Sequence, residues 1–290
     1  MSKLSFPTIR ARQIAASDTG AVADLLTKGF RRRRRRHWVE VLNRLGEHPA
    51  PTGLPTYGYM MEHGGVPVGV ILVISTTAWT PAGGVLRSNL SSWYVEPAFR
   101  SHAPLLIGLA LRRKDVTYVN ISPAPHTRPI IEAQGFSRYG NGLFVASTLP
   151  VLRRRREGRT VEATIVPDAP FEPFERDVLL DHARYGCMSF WWATAERAYP
   201  FVFRRRYVKR LVPCAQLIYC RDLEDCVAFA RPVGGYLARR GAPLMVLDAN
   251  GPLRGLAGLY LDNVGPKYFK GPAAPRLGDL AYTEAAMFGI

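Results

Sequence analysis

The chain has few of the features that mark secreted, membrane-spanning or zinc-binding proteins. Its 290 residues include only 4 cysteines, and these form no Cys-x-x-Cys pair of the kind that binds structural zinc. No apolar run approaches the roughly 18 residues of a membrane-spanning helix, and the first residues lack the apolar core of a signal peptide. We therefore expect a soluble cytoplasmic protein without a metal site, whose cysteines are buried free thiols.

Acidic residues are scarce relative to basic ones. The chain has 23 Asp and Glu against 39 Lys and Arg, a net charge of +16, and residues 31–36 are six consecutive arginines, Arg31 to Arg36. Basic clusters bind nucleic acid, lie against anionic lipid or attract anionic substrates, and they also occur as plain solvated surface. Because no nucleic-acid-binding motif accompanies the charge, we expect no specific nucleic acid. The cluster is a candidate site for an anionic ligand or a membrane surface.

Length and hydrophobic content predict two folded domains. The hydrophobic fraction is 47%, and 290 residues is long for one compact domain. Residues 149–162 are arginine-rich with little core-forming content, which is typical of a connector. We expect one domain over residues 1–148 and another over residues 163–290, joined by this basic linker.

The most informative stretch is residues 91–105. A run of strand-forming residues ends at residues 95–97, Arg100 follows, and an apolar helical pattern begins at Leu105. Such a strand-to-helix turn presents unpaired backbone N–H groups and the positive end of the helix dipole to an anion. Pro104 is tolerated in a first helical turn, although it removes one possible donor. An ordinary turn with a surface arginine is the alternative interpretation.

This turn resembles the pyrophosphate-binding turn of the GNAT acyltransferases, which runs roughly Val-x-Pro-x-x-Arg-x-x-Gly-x-Gly/Ala. Arg100 stands where the family has its arginine, whereas Ala103 and Leu105 replace the usual small glycines. The order β-α-α-β-β-β-α-β-α-β predicted over residues 8–148 is that of the GNAT fold. The resemblance implies a mixed α+β fold with a GNAT-like sheet.

The second half is predicted to repeat this order without the phosphate turn, as a degenerate GNAT-like domain. Its predicted strands lie at residues 161–166, 201–203, 214–220, 243–248 and 285–290. Its predicted helices lie at residues 174–185, 191–198 and 222–240. It would form one wall of an acceptor site or stabilise the first half.

The resemblance also implies where an acyl-CoA donor would bind. In GNAT proteins its pantetheine lies between two splayed parallel strands, which here correspond to residues 90–95 and 116–121. The backbone N–H of Val95 would hold the thioester carbonyl, as the bulge in the fourth strand does in the family. The residues assigned to the donor are Tyr94, Val95, Arg100, Ser101, His102, Ala103 and Leu105.

Many GNAT enzymes protonate the leaving thiolate with a tyrosine four residues before a Gly-Phe step, and that position here is Ile131. Substitutes are available near the end of the strand at residues 116–121, and a histidine could serve as acid or base. The alternative interpretation of His126 is a loop or capping residue beside Pro125 and Thr127. The candidate catalytic residues are His126, Asn120, Ser122 and Tyr94.

The leading hypothesis is an acyltransferase that moves an acetyl or longer acyl group from acyl-CoA to an amine or hydroxyl by direct attack. The missing tyrosine favours an alternative, a non-catalytic GNAT-like binding or regulatory protein. A third possibility, supported by charge alone, is a protein that binds nucleic acid or anionic membranes. The acceptor, the acyl chain length and the choice between CoA and acyl carrier protein stay open.

Overall fold

The structure is a computed structural model that describes residues 8–80, 83–148, 157–208 and 211–289. The chain forms two compact units. The first unit extends to Asn120 and includes Phe269–Ala274, whereas the second comprises Ile121–Tyr268 and Pro275–Ile290. This division comes before the predicted connector, of which residues 149–156 lie outside the described residues. The assignment of residues 1–148 and 163–290 to two GNAT-like domains therefore stays a prediction.

The first unit contains a mixed sheet. Its neighbouring strands pair β1-β2-β3-β4 antiparallel, and β4 pairs with β5 in parallel. The elements are β1 (Ile9–Gln13), α1 (Thr19–Gly29), α2 (Arg35–Glu47), β2 (Gly58–His63), β3 (Val66–Thr80), β4 (Gly83–Val95), α3 (Ala103–Ala110) and β5 (Thr117–Asn120).

Helical spacing of apolar residues explains how α1 and α2 pack. Each helix buries one stripe and leaves most of its charged residues exposed, as expected for an amphipathic helix. The centre of β3 is buried on both faces, so its sequence is a continuous apolar run rather than an alternation. The buried helical residues are Val22, Leu25 and Leu26 in α1 and Trp38, Val41, Leu42 and Leu45 in α2.

The second unit also contains a mixed sheet. Its strand order is β12-β6-β11-β10-β9-β8-β7, in which β10 and β11 pair in parallel, whereas β6–β11, β9–β10, β8–β9 and β7–β8 are antiparallel pairs. The elements are α4 (Arg128–Ala133), β6 (Ser137–Ser147), β7 (Arg159–Glu162), α5 (Pro173–Arg184), β8 (Met188–Ala193), β9 (Ala198–Val208), β10 (Val212–Cys220), α6 (Leu223–Ala228), α7 (Ala230–Arg239), β11 (Leu244–Ala249), β12 (Gly258–Lys270) and α8 (Glu284–Met287).

The two units share one pairing pattern. In each, three successive antiparallel pairings are followed by a parallel pairing, β1 to β5 in the first unit and β7 to β11 in the second. The fourth strand of each series also carries a bulge, which lies at residues 92–93 in β4 and at Ile218 in β10. The mixed GNAT-like arrangement predicted from the order of elements is confirmed.

Several predicted elements of the second half are wrong. Residues 191–198 are not a helix: Trp191 lies in β8, and a turn closed by the Thr194 N–H and the Arg197 carbonyl leads into β9. Aromatic residues are common in strands, and here they lie in a strand that pairs with β9. The predicted strand over residues 161–166 ends at Glu162, and Ile165 is exposed in the following turn.

The end of the chain also differs from the prediction. Residues 285–290 were expected to form a strand, but Glu284–Met287 is helical, and residue 290 lies outside the described part. Alanine is the best helix former, and two alanines occupy the middle of this turn. The predicted single helix over residues 222–240 is two helices that meet at Phe229. The strand β12 was not predicted.

An aromatic and aliphatic core holds the second unit together. The rings of Phe190 and Tyr236 stack with their centroids 3.8 Å apart, and both side chains are buried. All four cysteines are buried free thiols, as predicted. Burial raises the pKa of the Cys226 thiol to about 12. None of the helices in the described part of the chain has the length and the apolar character of a membrane span.

Candidate active site

The strands β4 and β5 pair over a short length and then separate. Parallel pairing joins residues 87–89 of β4 to residues 117–119 of β5. Beyond that point the described ladder of β4 continues with β3 alone, up to Val95. Asn120, the last residue of β5, is therefore at the start of a gap between the two strands. This is the splay expected between residues 90–95 and 116–121.

A β-bulge interrupts β4 within the separated stretch. Ser91 pairs with Leu72 and Tyr94 pairs with Val70, so two residues of β4 oppose one residue of β3. Ser92 has a φ of 50°, in the left-handed region that serine rarely adopts. The bulge breaks the simple alternation that would place Ser92 and Tyr94 on one face of β4. Bulges of this kind often re-aim a strand beside a functional site.

The bulge leaves the backbone of Val95 in a defined orientation. The N–H of Glu96 donates to the carbonyl oxygen of Val68 at 2.8 Å, and Val95 pairs with Gly69. Hydrogen-bonded and non-hydrogen-bonded pairs alternate along an antiparallel ladder. The N–H of Val95 therefore points away from β3. It points to the edge of β4 that pairs with β5 at residues 87–89. The side chain of Val95 is buried.

The side chain of Tyr94 is half-buried against the end of α1. An ideal β-carbon on Gly29 would lie 2.4 Å from Cγ of Tyr94, so the ring covers the glycine directly. Beside it, Lys28 Nζ lies 3.3 Å from Glu96 Oε1. These contacts fix the carboxyl end of α1 at the carboxyl end of β4.

The predicted phosphate turn is helical from its beginning. A 3-10 helix spans Pro97–His102 and leads into α3 at Ala103, two residues before the predicted start. The N–H of Ala103 donates to the carbonyl of Arg100, and Pro104 has no N–H. The turn therefore offers fewer free donors than the glycine-rich family pattern would.

The side chains of this turn remain open to solvent. Arg100 and Ser101 are exposed, and Leu105 is 47% exposed although it is apolar. Ser101 Oγ lies 3.1 Å from His102 Nδ1. Arg100 forms no ion pair with any part of the chain that the structure describes. An exposed guanidinium and an exposed leucine thus flank the N-terminus of α3, which carries the positive end of the helix dipole.

Two of the predicted catalytic residues lie in the second unit. Ser122 is exposed and donates a hydrogen bond to the carboxylate of Glu284, which is buried at the start of α8. His126 is exposed in a 3-10 helix, Pro125–Thr127, before α4. Ile131, which stands in place of the family tyrosine, is buried in α4. Four of the predicted features, Tyr94, Val95, the turn at residues 100–105 and Asn120, lie in the first unit.

Glu284 was not among the residues selected from the sequence. Its partner Ser122 is remote in the chain, and a lone glutamate in an apolar segment carries no local signal of function. Gly29 was missed for the same reason, because its role depends on a distant ring. Among the residues that the structure describes, no three His, Cys, Asp or Glu side chains are grouped as metal ligands would be.

Several solved structures are similar to the whole chain. A GCN5-related N-acetyltransferase from Anabaena variabilis gives a TM-score of 0.58 at 11% identity, covering 90% of this chain and 72% of its own. Another from Kribbella flavida gives 0.57 at 14% identity, covering 92% and 72%. Eis1 from Mycobacterium abscessus gives 0.53 at 12% identity, covering 94% and 74%.

No protein-family model matches the sequence, and no curated protein matches it. Structural similarity at this level of identity establishes the fold. The splayed β4 and β5 strands, the bulge at Ser92 and the order of elements agree with it. The chain therefore has the fold of the GCN5-related N-acetyltransferases.

Proposed function

We propose that the protein is an acyl-CoA-dependent acyltransferase that moves an acetyl or longer acyl group to an amine or hydroxyl acceptor. The observation that carries this proposal is the N–H of Val95, which points into the gap where β4 has left β5. A free backbone donor at a strand bulge is suited to a carbonyl oxygen that becomes negatively charged during reaction. The likeness in fold to solved N-acetyltransferases supports the same conclusion.

The donor is assigned to the first unit. Its pantetheine would lie along residues 90–95, with Tyr94 beside it and the Val95 N–H on the thioester carbonyl. Its phosphates would lie at the N-terminus of α3, near Arg100 and the donors of the first turn. The exposed guanidinium and the helix dipole favour an anion there. The residues assigned to this role are Arg100, Ser101, His102, Ala103 and Leu105.

The reaction needs no covalent enzyme intermediate. The nucleophile of the acceptor attacks the thioester carbon, a new bond to that carbon forms, and the carbon–sulfur bond breaks. The acceptor loses one proton and the departing thiolate gains one. His126, with Ser122 and Asn120 nearby in sequence, is the proposed source or sink of these protons, because Ile131 has no ionisable group. A histidine changes charge near neutral pH and suits this role.

The second half is proposed to be a degenerate GNAT-like domain in a tandem arrangement. The shared order of strand pairings and the bulge in β10 support this proposal. The four buried free thiols support a reducing compartment, and we propose that the protein acts in the cytoplasm.

One observation favours a second function, a non-catalytic protein that binds acyl-CoA. The N–H of Ala103 is already bonded within the helix, and Pro104 has no N–H, so the phosphate turn is weaker than in the family pattern. The absent tyrosine at residue 131 points the same way. Such a protein would bind the donor without transferring its acyl group.

A thermal-shift series with free CoA, acetyl-CoA and longer acyl-CoAs tests the proposal on the full chain. A ligand that binds only the folded state raises its stability by mass action. We expect each CoA species to raise the melting temperature. An uncharged thioester that lacks the nucleotide should leave the melting temperature unchanged. Thiol release in the presence of amine acceptors then separates an enzyme from a binding protein. The absence of any shift with all CoA species would overturn both functions.

A further inference from the structure

A strongly basic loop follows α1 and begins beside the end of β4. Gly29, the last residue of α1, contacts the ring of Tyr94, and Lys28 pairs with Glu96 directly after β4. The chain then runs into residues 31–34, here called the arginine loop, before α2 begins at Arg35. The arginine loop thus borders the stretch of β4 to which the donor is assigned.

The four guanidinium groups of the arginine loop have no acidic partner within the described residues. The two arginines that follow are different, because Arg35 Nε lies 2.6 Å from Asp24 Oδ1 and Arg36 Nε lies 2.9 Å from Glu40 Oε1. The charge at residues 31–34 is therefore uncompensated, and most of it is exposed. The members of the arginine loop are Arg31, Arg32, Arg33 and Arg34.

The uncompensated charge at residues 31–34 destabilises the fold. The loop leads into the N-terminus of α2, where the helix dipole favours negative charge, and the first turn of α2 contains no acidic residue. Like charges in adjacent positions also repel one another. An anionic ligand that bound here would relieve both effects.

The loop contacts the first unit through Phe30 and contains no apolar residue of its own. The N–H of Arg33 donates to the Phe30 carbonyl, and the Phe30 ring lies 5.2 Å from the ring of Trp38, which is buried. Proteins that lie on membranes normally insert apolar side chains beside their basic ones. The arginine loop presents only charge, and this favours a dissolved polyanion over a lipid surface.

We propose that the arginine loop selects the acceptor, and that this acceptor carries several carboxylate or phosphate groups close to its nucleophile. This inference rests on the proposed function. Guanidinium groups bind carboxylate and phosphate through two parallel hydrogen bonds, which gives orientation as well as attraction. An acceptor held by residues 31–34 would be adjacent to the end of β4, where its nucleophile must reach the thioester.

The test uses the full chain and the triple variant R31Q/R32Q/R34Q. The matched control is R176Q/R239Q/R254Q, which removes three exposed arginines of the second unit. The probe is a labelled peptide with one free amine and four glutamates, compared with its glutamine counterpart and with a phosphoserine version. Fluorescence anisotropy measures peptide binding, calorimetry measures CoA binding, and thiol release measures transfer to each peptide.

We expect the loop variant to bind both anionic peptides at least about tenfold more weakly, while the control triple variant and the binding of CoA stay unchanged. The KM for the glutamate peptide should rise in parallel, and the KM for the glutamine peptide should not. Retained binding of anionic peptides by the loop variant would overturn the proposal. An equal loss of CoA binding would also overturn it, by assigning the loop to the donor.

Two further outcomes are distinct. Binding to vesicles of phosphatidylcholine and phosphatidylserine that exceeds peptide binding, and that is lost in the loop variant, would replace the acceptor with a membrane surface. If the unaltered protein binds no CoA, the proposed function fails, and the role in acceptor selection fails with it. Peptide binding that still depended on the arginine loop would then show an anion-binding site without acyl transfer. This result distinguishes failure of the proposed function from failure of the loop to bind anions.

Discussion

The ring of Tyr94 occupies the space that a side chain on Gly29 would need. An ideal β-carbon at residue 29 would lie 2.4 Å from Cγ of Tyr94, closer than real contacts allow. The last turn of α1 and the end of β4 are thus in contact through a glycine and an aromatic ring. Any residue larger than glycine must displace either the ring or the helix end.

Replacement of Gly29 by Ala should therefore disturb the end of β4. We expect a loss of about 1–3 kcal/mol in the free energy of unfolding, because the added methyl group overpacks a close contact. Urea denaturation measures the loss. Gly108→Ala is the matched control: nothing lies within 4 Å of the new β-carbon in α3, and alanine should stabilise that helix by about 0.5–1 kcal/mol. Equal effects of the two changes would contradict the close contact.

Reversal of charge at Arg100 should weaken donor binding. We expect Arg100→Glu to reduce the affinity for CoA by at least a factor of ten, or about 1.4 kcal/mol. The added carboxylate repels the phosphates at the start of α3. Calorimetric titration with CoA checks the change, with Arg176→Glu as an exposed control in α5. Unchanged affinity in a folded Arg100→Glu protein would refute the assignment of the phosphates.

Removal of the imidazole at residue 126 should slow transfer without weakening donor binding. General acid–base help is typically worth about 10²–10⁴-fold in rate, and we expect His126→Ala to lose a factor in that range. Thiol release measured across pH, together with CoA affinity, gives the answer. His126→Gln should be equally slow, because it keeps polarity but cannot change charge. A variant as fast as the native protein would mean that the thiolate departs unaided.

The Arg12 and Asp18 pair predicts a dependence of stability on pH. Arg12 Nη1 and Nη2 donate to the Asp18 carboxylate at 2.5 and 2.9 Å, and this hydrogen bonding lowers the pKa of Asp18. A carboxyl whose pKa is lower in the folded state stabilises it above the ordinary pKa of Asp. That contribution is lost as pH falls through the folded value.

We therefore expect Asp18→Asn to cost about 1 kcal/mol at neutral pH. Between pH 5 and about pH 3, the stability of the variant should fall less than that of the native protein. Chemical denaturation across this range measures both effects. Asp168→Asn is the control, since the pair of Asp168 with Arg159 is largely exposed. If the stability of Asp18→Asn depended on pH in the same way as that of the native protein, the ion pair would contribute nothing to the free energy of unfolding.

Local patterns predicted the first half well because its segments agree with their tertiary surroundings. The order of strands and helices predicted over residues 8–148 is present, from β1 to β6. The splay of β4 and β5 followed from the GNAT resemblance. The bulge at Ser92 had no local signal, because serine has no preference for the left-handed region.

The second half was harder because local preference and burial disagree there. Trp191 and its aromatic neighbours fit either a buried helix or a buried strand by hydrophobicity, and only pairing with β9 decides between them. The strand β12 contains glycine, proline, asparagine and aspartate, and these residues disfavour strands in isolation. Its pairing beside β6 overrides that preference.

Phe269–Ala274 belongs to the first unit although it is made late in synthesis. The N–H of Ala273 donates to Thr117 Oγ1 at 3.1 Å, and a β-carbon on Gly271 would lie 2.6 Å from the α-carbon of Thr117. Residues 121–268 must leave the ribosome before these contacts can form, which takes on the order of 10 s at usual rates. During that interval residues 269–274 do not yet cover Thr117 in the nascent first unit. Chaperones would bind the uncovered unit at this stage.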